Sequence, residues 1–142
     1  MKTLSVVAGI VALLSSAPAF ASSVSMTFQN VGTATMVPNG VNTCGVFAPT
    51  PANILAGATS PTSSTNCGTT SAAHVTYNIG TKQCVFHIST IYTPANPLTG
   101  ASAYWTPNAS TTASGSATCK VVSQDISQIF TNGNFAAVFS MK

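Results

Sequence analysis

Ser23-Val24-Ser25-Met26-Thr27-Phe28-Gln29 alternates polar and apolar residues without a break. That period of two constrains the fold more than any other feature of the chain. On a strand, successive side chains leave opposite faces, so Val24, Met26 and Phe28 share one side. On a helix Met26 would turn away from Val24 and Phe28. The pattern returns in His74-Val75-Thr76-Tyr77-Asn78-Ile79 and at the far end, where Phe135, Ala137, Phe139 and Met141 share a face. Gly, Pro and Asn punctuate the chain between these runs, and helical periodicity is nearly absent. Short strands separated by such turns predict an all-β fold, a small antiparallel β-sandwich or barrel.

Further strands follow from the same reading. Residues 33–37 form a candidate strand ended by the turn signal Pro38-Asn39-Gly40. Residues 60–71 are a low-complexity Ser/Thr loop pinned near Cys67. The clearest element is a hairpin of residues 74–79 with 84–92. With Thr81 and Lys82 as a two-residue turn, Ile79 faces Cys84, Tyr77 faces Phe86 and Val75 faces Ile88. The opposite face then carries His74, Thr76, Asn78, His87 and Ser89. Residues 101–105 read as a short strand, and 108–118 as a Ser/Thr/Ala stretch that is flexible unless Cys119 ties it down. A strand runs on from Cys119 through Lys120, Val121 and Val122. Residues 123–130 fit either a helix, with Ile126, Ile129 and Phe130 at helical spacing, or a strand. Asn132-Gly133 is a turn.

Residues 1–21 have the form of a secretory signal peptide. Lys2 is followed by an apolar run and then by Ala19-Phe20-Ala21, a small-x-small cleavage site. The run is shorter than the roughly 20 residues a spanning helix needs, and no second apolar stretch of that length follows. Residues 22–142 are then one exported domain with no transmembrane segment, destined for the periplasm, the cell surface or the extracellular space.

Beyond the leader, charge almost vanishes. Three lysines (Lys82, Lys120, Lys142) less one aspartate (Asp125) leave a formal +2, with no arginine or glutamate. Nucleic acid is gripped through several Lys or Arg contacts to phosphates, so no nucleic-acid partner is expected. Low charge also weakens colloidal repulsion and leaves sheet edges open to pairing. Cys44, Cys67, Cys84 and Cys119 make an even count in a small exported domain and read as two disulfides. Three connectivities are open. Cys44–Cys67 with Cys84–Cys119 is favoured, because each pairing closes a loop rich in Ser, Thr and Pro.

Candidate sites are few. His74 and His87 lie diagonally on one face in the predicted register. Two imidazoles fall short of the usual three or four ligands, so they read as polar-face residues; no metal site and no cofactor are expected. A glycosidase pair of carboxylates is impossible with a single Asp and no Glu, and no G-x-S-x-G elbow is present. The chain therefore reads as non-catalytic, with no catalytic residues assigned. Tyr104 and Trp105, followed by Asn108, are the candidate ligand-binding residues, since aromatic side chains offer an apolar face with a polar tip.

The alternating segment after the leader, the disulfide-bearing, charge-poor body and the alternating last strand resemble chaperone–usher pilus subunits in general layout. In that family an N-terminal extension completes a neighbour's sandwich by strand addition. The chain departs from the family in having four cysteines instead of two, in being shorter, and in carrying Met141 where a tyrosine stands near the C-terminus. The expected function is an exported assembly or adhesion component that self-associates or meets another surface protein or glycan. The alternative is a monomeric carbohydrate- or protein-binding module; a small secreted enzyme and a membrane-active toxin stand behind both.

Overall fold

The computed structural model describes residues 22–142, and the expected leader, residues 1–21, lies outside the described residues. The chain folds into β1 (Ser22–Asn30), β2 (Val37–Thr43), β3 (Ser63–Gly68), β4 (Thr70–Ile79), β5 (Lys82–Thr93), β6 (Tyr104–Ser114), β7 (Cys119–Asp125), a single helical turn α1 (Ile129–Asn132) and β8 (Phe135–Met141). Two four-stranded sheets result, one ordered β3-β1-β8-β7 and the other β2-β4-β5-β6. The all-β expectation holds, with one difference. β1 pairs antiparallel with β3 but parallel with β8, Val24 opposite Phe135 through Asn30 opposite Met141. A parallel pair needs a long crossover, and here everything between the first and last strands supplies it.

The alternation of β1 places Val24, Met26 and Phe28 at 0% exposure. Phe28 meets Tyr77 of the facing sheet at 5.0 Å between ring centroids and Phe86 at 5.4 Å, while Phe86 meets Phe139 at 5.2 Å. These rings from both sheets form the middle of the sandwich. Each fully buried aromatic of this kind contributes about 1.5–3 kcal/mol of transfer free energy. Asn30, buried at the end of β1, donates to the carbonyls of Ala34 and Ile54 and accepts from the Gly32 N–H, which shapes the loop leading to β2.

The disulfides are Cys44–Cys67 and Cys84–Cys119, as favoured from loop composition, and no described cysteine is free. Both join one sheet to the other. Cys44 follows β2 and Cys67 lies in β3; Cys84 lies in β5 and Cys119 opens β7. The sandwich is thus stapled at two places. Two disulfides, with no helix among the described residues long and apolar enough to cross a membrane, are consistent with an exported protein.

Several expected elements differ. The hairpin turn is Gly80-Thr81, so Ile79 faces Lys82 and Tyr77 faces Cys84. The first loop position has φ 60°, which glycine takes freely and a β-branched Thr81 would resist. Pro38-Asn39-Gly40 is a bulge inside the edge strand β2 and not a turn, a position where proline costs no ladder bond. The Ser/Thr stretch expected as a loop contains β3, whose Ser63 and Thr65 are buried while Ser64 and Asn66 face out. The stretch expected to be flexible unless Cys119 ties it down supplies most of β6, with Cys119 bonded to Cys84; β6 also runs through Pro107 at the sheet edge. Residues 123–130 divide, strand to Asp125 and then α1, with Ile129 buried and Phe130 exposed.

Candidate functional site

The outward face of the β2-β4-β5-β6 sheet carries a row of four side chains, one from each strand. Asn42 lies opposite His74, His74 opposite His87, and His87 opposite Ser110. The two histidines expected on a diagonal are therefore direct cross-strand partners, because the turn sits one residue earlier and moves the pairing by two. Their ring centroids are 4.2 Å apart with the planes inclined by 40°. On the β6 side, Asn108 Nδ2 lies 3.3 Å and Ser110 Oγ 3.5 Å from His87 Nδ1. Burial first, and the adjacent His74 second, push the His87 pKa below the ordinary imidazole range. Both causes favour the neutral ring over the charged one.

The structure divides the three predicted ligand residues. Trp105 points into the sandwich, 7% exposed, packed against Tyr92 at 5.0 Å. Gly133 closes over its ring: a Cβ there would stand 2.4 Å from the indole, and φ is 75°. Tyr104 faces outward and is 54% exposed. A cleft of about 150 Å³ lies between them, lined by Tyr92, Ala103, Tyr104, Trp105, Phe130 and Thr131, with Phe130 84% exposed on its rim. Asn108 belongs to the histidine row. Phe130 is the member that sequence reasoning missed, since its spacing with Ile126 and Ile129 pointed to a helix face.

Two further cavities open elsewhere among the described residues. One of about 340 Å³ lies between residues 49–61 and the core, lined by Pro49, Pro51, Ile54, Leu55, Phe28 and Tyr77, with the Tyr77 hydroxyl donating to the Ala52 carbonyl at 3.2 Å. The other, about 210 Å³, is polar and includes Ser23, Ser25, Asp125, Ser127 and Asn134. Asp125 Oδ1 accepts the Ser127 backbone N–H at 2.9 Å, and that bond, with one from the Ser127 hydroxyl, lowers its pKa. Asp125 thus caps its own turn on β7. It belongs to the sheet opposite the one bearing both histidines, so the three do not come together as a Ser/His/Asp site.

Among the described residues no group of three or more His, Cys, Asp or Glu side chains is placed to hold a metal ion. No protein-family model matches the chain, and no curated protein matches it significantly.

Proposed function

We propose that this protein is an exported, non-catalytic structural subunit that assembles with copies of itself at the cell surface or outside the cell. The observation that carries this reading is the edge strand β6. It has eleven residues, is hydrogen-bonded on one side only, and contains no charged side chain. The other three edges are blunted in recognisable ways. β2 carries Pro38 and a bulge. β3 exchanges backbone bonds with Ala48 through Ser64, at 2.9 and 3.0 Å. β7 carries Lys120, Asp125 and a bulge after Val121. Proteins that remain monomeric guard long edges with charge, proline or cover; β6 has Pro107 and packing against β7 and α1, but no charge.

Pairing of β6 with its counterpart in a second copy would join two sheets by main-chain bonds, with Ser and Thr side chains flanking the junction. The test is sedimentation velocity over a concentration series of the exported protein beside Thr106→Lys, which places a charge on the exposed edge. Oligomers that dissociate in the variant, with its thermal midpoint unchanged, support the reading. A wild-type protein that stays monomeric at high concentration sinks it.

A second reading, a glycan-recognition module, has its own support in the cleft beside Tyr104 and Phe130. Two exposed rings over a polar Thr131 present the apolar faces on which sugar rings stack. Retention on polysaccharide beads that is lost in Tyr104→Ala and in Phe130→Ala would favour it over assembly.

A further inference from the structure

We propose that His74 and His87 form a two-imidazole site for a borderline divalent transition metal, Cu²⁺ most tightly. The inference rests on the cross-strand geometry and is independent of the assembly reading. A metal ion bound to imidazole nitrogen at about 2.0–2.1 Å, with two rings at right angles around it, sets their centroids about 4.5 Å apart. The observed rings, 4.2 Å apart with their planes inclined by 40°, have a separation of that order. A sheet holds the two Cα positions fixed, so little conformational entropy remains to be lost when both rings engage one ion.

The neighbours suit this role. A metal-bound histidine keeps one nitrogen for the metal and donates N–H from the other to an oxygen, which fixes the tautomer. Asn108 Nδ2, 3.3 Å from His87 Nδ1, donates to that nitrogen; a flip of the amide that presents Oδ1 lets it, or Ser110 Oγ at 3.5 Å, accept from Nδ1–H instead. Nε2 then carries the free lone pair. The row Asn42–His74–His87–Ser110 contains no lysine to repel a cation. All four cysteines are in disulfides, so no thiolate competes for the ion. With two protein ligands the remaining coordination positions belong to water or to an incoming donor. Imidazole ligation without carboxylate or thiolate follows the Irving–Williams order, which puts Cu²⁺ ahead of Ni²⁺ and Zn²⁺.

The experiment is calorimetric titration of the exported protein with Cu²⁺ and with Zn²⁺, together with electron paramagnetic resonance of the Cu²⁺ form. The expected result is one Cu²⁺ per chain with hyperfine structure from two nitrogens, and weaker Zn²⁺ binding. His74→Ala and His87→Ala should each lose the two-nitrogen signature. Asn108→Ala, which removes only a positioning amide, should keep that signature and bind about tenfold more weakly. Both rings are on the outward face, so unchanged thermal midpoints will show that the variants fold. Equal Cu²⁺ binding by wild type and by the His74→Ala, His87→Ala double variant would overturn the proposal. So would a two-nitrogen signature that survives in either single variant.

Discussion

Tyr77 sits where the core meets the apolar cavity, with no exposed surface and its hydroxyl held by one backbone carbonyl. Burial pushes its pKa up to about 12 from an ordinary 10.0, because the phenolate would lose its hydration there. The folded state then holds the proton more tightly than the unfolded state. Its contribution is complete below pH 10 and is lost as pH rises from 10 towards 12. Urea midpoints measured across that window should fall more steeply for wild type than for Tyr77→Phe; parallel curves would mean that the phenol stays hydrated in the fold. Gly133 decides the neighbouring aromatic site at the same scale. Having no Cβ, it lets Trp105 lie flat beneath the turn after α1, and the indole is thereby committed to packing while Tyr104 and Phe130 remain available at the rim.

At the level of elements, the disulfides do what a small core alone does less well. Each ties one sheet to the other, across sequence separations of 23 and 35 residues. Chain-entropy arguments value such closures at about 3.4 and about 3.8 kcal/mol respectively. Replacing Cys84 and Cys119 together by alanine should therefore destabilise more than replacing Cys44 and Cys67, the more so because Cys84 is fully buried. Urea denaturation of the two double variants checks the order; the reverse order would place the larger constraint at the β2–β3 side. The β4–β5 hairpin shows how a single turn residue acts over distance. With Gly80 at the first loop position, all ten pairs from Thr70–Ile91 to Ile79–Lys82 fall into register, and His74 meets His87 head on.

For the molecule as a whole, scarcity of charge is the governing property. The described chain has three lysines and one aspartate, and none of the four lies on β6. Association through that edge draws on main-chain hydrogen bonds and apolar contact, and so gains little from Coulomb attraction. Raising ionic strength from about 0.01 to 1 M shortens the Debye length from about 30 to about 3 Å. Over that range the self-association constant, measured by sedimentation, should hold steady or rise. A tenfold fall would show that the few lysines carry the contact.

Much of this architecture was legible in the residues themselves. The alternation in residues 23–29, 74–79 and 135–141 identified β1, most of β4 and all of β8, because burying one face of a strand forces a period of two. Even cysteine count and loop composition anticipated both disulfides. The strand β3 and β6 beyond Trp105 stayed hidden, since apart from Cys67 their inward positions are filled by Ser, Thr, Ala and Pro and only a facing layer can bury such residues to effect. The outward alternation of Tyr104 and Asn108 around a buried Trp105 was equally a matter of where the second sheet lies. Local pattern therefore determined the strands that alternate strongly, β1, β4 and β8, and which face of each is apolar. Tertiary structure decided register, the parallel closure of β1 on β8, and the meeting of His74 with His87, because those depend on contacts between residues far apart in the chain.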